Sequence, residues 1–158
     1  IRTKFNGVAG VNLLDYAIWE IAKIPNKDEL DLIYIVFDRD PGNNSERQIR
    51  QIITRAKENN IVPIISNRSF ELWFILHFNE FRREVSSNAE YISILSSKLW
   101  FPYVKTDGSL WDTLRSRLDT AVMNSHILEQ KHLNDWICEL ELTEPYTNVY
   151  TLIKELIA

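Results

Sequence analysis

The chain has 158 residues, 45% hydrophobic and 11% aromatic, with a formal net charge of −4 and a pI of ≈ 5.4. That is enough apolar content for one ordinary core, and it excludes both pervasive disorder and a wholesale basic coat for nucleic acid, though not a local basic face. No apolar run approaches the roughly 20 residues of a membrane helix, and no secretory pattern opens the chain, so a soluble, cytoplasmic protein without membrane contact is expected. The single cysteine, Cys138, excludes an internal disulfide framework and, in its apolar context, is expected to be a buried structural thiol.

In chain order, Ile1 to Phe5 has the pattern of a short strand entering a turn at Asn6 and Gly7. A first residue other than methionine predicts that the chain starts inside a larger protein. Val11, Leu14, Ile18, Ile21 and Ala22 recur at helical spacing, with Asn12 as the expected cap and Pro25 as the stop. Leu30 to Phe37 is almost continuously apolar, as in a parallel strand covered on both faces. Ser45 is placed to cap a helix with the face Ile49, Ile52, Ile53 and Ala56, ended by Asn59 and Asn60, and Ile61 to Ile65 returns as a short buried strand. This alternation predicts right-handed crossovers and a parallel sheet. FELWFILHF, residues 70–78, is too apolar for a surface helix and is expected to pack against the sheet end. After Ser87 the apolar spacing is helical: Leu95 and Leu99, then Leu110 to Val122, then Leu133, Trp136, Ile137 and Leu140, with a break over 101–108. A last helix from Thr147, its expected cap, presents Val149, Leu152, Ile153, Leu156 and Ile157. The expected architecture is one α/β domain, with residues 1–78 as the core and residues 79–158 as a mainly helical part packed on it.

The chemistry concentrates in IYIVFDRDPGNN, residues 33–44. Alternation along a strand puts Asp38 and Asp40 on one side and Arg39 on the other. At the carboxyl end of a parallel strand both acids enter the crevice where open α/β sheets bind ligands. Two carboxylates held so close favour a hard divalent cation, Mg²⁺ or Mn²⁺, because otherwise they repel. The plainer reading is that Asp40 starts a turn before Pro41 and Gly42 while Asp38 caps backbone amides. Glu71, inside an apolar segment, needs a partner. It could be a metal ligand, a general base, an ion-pair partner of Arg68, or part of a helix cap with Ser69. His77 reads as a hydrogen-bonded core histidine. Arg39, Arg47 and Arg68 lie where a phosphodiester would arrive, whereas Arg50 and Arg55 suit a solvated helix face. Trp73, Trp100, Trp111 and Trp136 sit in apolar helical patterns, which favours core packing over base stacking. An aspartate pair after an apolar strand also begins haloacid-dehalogenase-like enzymes, but Pro41-Gly42 replaces the Thr or Val expected there. A glycosyltransferase Asp-x-Asp matches on spacing alone.

Asp38-Arg39-Asp40 at a strand end, Ser66-Asn67 at the next, Phe70-Glu71-Leu72-Trp73 leading to Leu76-His77-Phe78, and Pro145-Tyr146-Thr147-Asn148-Val149 before the last helix together resemble the RloB-like family. The resemblance runs over nearly the whole chain and is strongest in residues 33–78. It implies a Toprim-type fold and metal-dependent phosphodiester chemistry on DNA or RNA, in a bacterial defence setting, often beside an ATPase partner; homo-oligomerisation stays open. It also implies that Asp38 and Asp40 are the metal ligands and that Glu71 is the third acid. The family pattern includes a further glutamate at the end of an earlier strand, which no residue here matches. Ile1 to Phe5 is then expected to be the second strand, with the first lying upstream.

Overall fold

The computed structural model describes residues 10–26, 32–39 and 44–157. The proposed strand at Ile1 to Phe5, the turn at Asn6 and Gly7, and the Pro41-Gly42 turn lie outside them. The chain is mixed α/β. Helix α1 (Val11–Ala22) precedes strand β1 (Ile33–Asp38), helix α2 (Glu46–Glu58), strand β2 (Ile61–Asn67) and the short helix α3 (Glu71–Leu76). Helices α4 (Asn88–Leu99), α5 (Leu110–Leu114) and α6 (Leu118–Asn134) follow, then the two-residue strand β3 (Tyr146–Thr147) and helix α7 (Val149–Ile157).

Helix α2 forms for local reasons. The Ser45 hydroxyl accepts from the Gln48 amide and the Gln48 side chain accepts from the Ser45 amide at 2.8 Å, a reciprocal cap that satisfies two end donors. Ile49, Ile52 and Ala56, at helical spacing, are completely buried. Helix α1 starts differently from expectation. Its cap is Gly10, with no side-chain bond, and Asn12 falls inside the helix. Gly10 has φ 61°, and a Cβ there would stand 2.1 Å from Asn44 Oδ1, so only glycine lets α1 begin this close to the loop after β1.

β1 and β2 pair in parallel, with Phe37 opposite Ile65 and Asp38 opposite Ser66. Ile35, Phe37, Ile61 and Ile65 pack against Leu14 of α1 and the buried face of α2. On the other face, Ile64 packs with Trp73 of α3, Ala121 of α6, and Val149 and Tyr150 of α7. The expected parallel pairing holds for β1 and β2, and the sheet becomes mixed at β3, which runs antiparallel to β2. Asn148 extends that pairing with its side chain, accepting from the Ile65 amide at 2.7 Å and donating to the Pro63 carbonyl at 3.1 Å. β1 also departs from the prediction of two covered faces. Among the described residues it is paired only to β2, and Val36 remains exposed.

Helix α3 joins the two halves. Trp73 faces the sheet, while Leu72, Ile75 and Leu76 enter a second core with Phe81, Tyr91, Leu95, Leu114 and Leu128. A six-residue helix buried on all sides explains why FELWFILHF carries almost no polar residue. The other tryptophans contradict core packing: Trp111 is exposed, and Trp100 and Trp136 are 94% and 90% exposed. Trp100 follows directly on α4 and Trp136 lies two residues past the end of α6, and their left-handed φ values of 64° and 61° take them off the helical faces that their spacing suggested. Cys138, expected to be buried, is exposed for the same reason, because α6 has already ended at Asn134. No helix among the described residues is long and apolar enough to cross a membrane.

Candidate active site

The two described candidate acids stand at the carboxyl ends of the parallel strands, Asp38 on β1 and Glu71 on the helix that follows β2. Asp38 closes β1 and is half-buried. Asp40 lies outside the described residues. Glu71, the first residue of α3, is only 3% exposed, so it must be supplied with donors. The Ser69 hydroxyl donates to Oε2. The Tyr103 hydroxyl, from the loop between α4 and α5, donates to Oε1 at 3.1 Å, and Lys105 Nζ stands 3.9 Å from the same oxygen. Burial raises the Tyr103 pKa above its ordinary value; the negative charge of Glu71, its hydrogen bond and the charge of Asp38 add to the rise. Tyr103 therefore stays a protonated donor at neutral pH, and it stands in the fields of both acids.

The arginines expected to meet substrate are placed differently from one another. Arg39 donates to the Leu142 carbonyl at 2.6 Å and lies 3.9 Å from Glu46. Arg68 donates to the Ser86 carbonyl at 2.6 Å and pairs with Glu144 at 3.3 Å, so the ion pair to Glu71 considered from sequence is replaced by one across the fold. Asn67, between them, donates to the Thr143 carbonyl at 2.7 Å. Three successive residues, 142 to 144, are thus held by the two strand ends. Arg47 is exposed on the first turn of α2. Arg50 forms a bidentate pair with Glu139 and Arg55 pairs with Asp15, both at the surface. His77 is buried, with Nδ1 2.9 Å from the Trp73 carbonyl and its ring edge-on to the Trp73 indole; burial holds its pKa below the ordinary value, which makes it a neutral core histidine.

Sequence reasoning missed Tyr103 and Lys105. The only signal was an aromatic and a cation flanking Val104 in a segment already read as a break, and nothing in the spacing ties them to an acid 32 residues earlier.

A family model for RloB-like proteins matches residues 2–156. The chain belongs to the RloB-like protein family. No curated protein and no solved structure matches it. The cation expected from the sequence is Mg²⁺ or Mn²⁺. Such an ion takes hard oxygens, and Mg²⁺ keeps several waters, needing only one or two protein carboxylates. Asp38, half-buried at the end of β1, offers such an oxygen, and Asp40 lies outside the described residues. No group of three or more His, Cys, Asp or Glu that could hold a metal ion gathers among the described residues, which do not include Asp40.

Proposed function

We propose that this RloB-like chain is a Toprim-type nuclease, dependent on Mg²⁺ or Mn²⁺, that hydrolyses phosphodiester bonds in DNA or RNA, tRNA included, within a cytoplasmic anti-phage or abortive-infection system. The observation that carries the reading is buried Glu71, held by the Tyr103 hydroxyl just past the carboxyl ends of two parallel strands, with Asp38 closing the first of them. Asp38 and Asp40 would hold the cation, which when bound offsets charge building on the phosphate and activates water. Glu71 orients what enters beside it, its carboxylate fixed by Ser69 and Tyr103. Lys105 supplies positive charge at the same place, where a phosphate would otherwise meet only acids. Arg39 and Arg68 hold the 142–144 segment at the two strand ends, and Arg47, exposed on the first turn of α2, would be the one of the three to meet the substrate backbone.

The test is cleavage of DNA, RNA and tRNA with and without Mg²⁺ or Mn²⁺, with any partner ATPase present. Asp38→Ala and Asp40→Ala are each expected to lose about 100-fold or more in rate, the effect of several kcal/mol of lost charge stabilisation. Unchanged cleavage in both variants sinks the reading. One observation favours a second reading, a non-catalytic module that docks on and regulates a partner ATPase: both Glu71 oxygens already accept bonds from the protein's own hydroxyls. Metal or partner binding without turnover, with a protective phenotype indifferent to Asp38→Asn, would select it.

A further inference from the structure

The loop after α4 divides its residues sharply. Tyr103 turns in, its amide donating to the Ser96 hydroxyl at 2.9 Å, its ring against Phe74 and its hydroxyl on Glu71. Trp100, Phe101 and Val104 turn out to solvent. Trp100 does so in a left-handed backbone conformation that a bulky residue rarely adopts, with its indole almost wholly in water. Neither choice contributes to the fold: the helix could end there on glycine, and the ring covers no core. From Lys98 to Thr106 the segment carries two lysines and no acid, in a chain whose net charge is −4. Lys105 reaches Glu71, while Lys98, on the last turn of α4, also lines an open groove of ≈ 740 Å³ beside Phe81 and Ile94. Three peptide units keep the Trp100 Cα within about 11 Å of the Tyr103 Cα, which is less than two nucleotides of extended strand.

We infer that the 98–105 loop is a grip for single-stranded nucleic acid, in which Trp100 stacks on an unpaired base and Lys98 and Lys105 track the phosphates toward the acids. A bare indole face binds any base but cannot reach one inside a duplex, so the surface selects single strands rather than sequence. The inference rests on the nuclease reading only for what happens to the strand once it is held. Trp136 is exposed to a similar degree but is flanked by Asp135 and Glu139 rather than by lysines, so that tryptophan serves as the internal control.

The experiment is equilibrium binding of labelled oligo-dT, oligo-U and a matched duplex in EDTA, so that no cleavage intervenes. The expected result is tighter binding of single strands than duplex, quenching of tryptophan emission, about a tenfold or greater loss of affinity in Trp100→Ala, substantial retention in Trp100→Phe, and no change in Trp136→Ala. Unchanged affinity in Trp100→Ala, an equal loss in Trp136→Ala, a preference for duplex, or no binding of any of the three overturns the inference. Circular dichroism of each variant separates loss of binding from loss of fold. Adding Mg²⁺ to the same samples reads the nuclease proposal independently: binding that needs Trp100 without cleavage by the unmutated chain overturns that proposal alone, and cleavage indifferent to Trp100 overturns this one.

Discussion

The start of α3 and the loop between α4 and α5 meet at the hydrogen bond from Tyr103 to Glu71, yet they are built on opposite rules. Around α3 nearly everything is buried, including the serine and the glutamate, and each polar group is there because a partner has been brought to it. In the loop nearly everything is exposed, including a tryptophan and a phenylalanine that no core receives. The same residue type shows the contrast: Trp73 is 4% exposed and Trp100 is 94% exposed. Apolar composition alone therefore does not tell a core segment from a contact segment; the backbone conformation at the helix end does.

Three substitutions would break or sharpen this contrast. Trp73→Ala leaves a cavity between the sheet and α6 and is expected to cost about 3–5 kcal/mol, read as a fall in Tm of the order of 10 °C. A loss below about 1 kcal/mol would mean that α3 is not the joint between the two cores. Tyr103→Phe keeps the ring against Phe74 but removes the donor to Glu71, and is expected to cost about 1.5 kcal/mol, the lower end for a bond to a charged group because the loop is half-exposed. Chemical denaturation measures it, and no loss would show that the loop is not tied to α3 through that hydroxyl. Trp100→Gly has the smallest expected effect, and the opposite sign. Glycine relieves the left-handed conformation, so stability is expected to rise by up to about 1 kcal/mol; a fall of that size would place the indole in a packing role and contradict its exposure.

What was legible in the sequence follows the same division. Ser45 with Gln48, and Ile49, Ile52 and Ala56, form a helix through contacts within a few residues, so the pattern carries them in full. Asp38 at a strand end and Glu71 in a buried segment were legible because strand alternation and the cost of burying a charge are local arguments. The partners were not. Tyr103 answers Glu71 across 32 residues, and the antiparallel β3 exists because Asn148 and Thr147 meet the edge of β2 more than 80 residues away. Periodicity also carried Trp136 and Cys138 past the true end of α6, since a helical spacing does not record where the backbone turns left-handed. RloB-like membership was legible because its motif residues stand in short contiguous stretches, among them Asp38 at the end of β1 and Phe70 to Trp73 at the start of α3.

The hold of Arg39, Asn67 and Arg68 on residues 142 to 144 has a consequence in time. Arg39 and Leu142 are 103 positions apart. At about 5–20 residues per second of synthesis, β1 waits roughly 5–20 s for the segment that steadies its end. A nascent chain on the ribosome can complete the Ser45 cap and the α2 face long before Arg39, Asn67 and Arg68 can meet residues 142 to 144, so the ends of β1 and β2 are secured only when nearly the whole chain has been made.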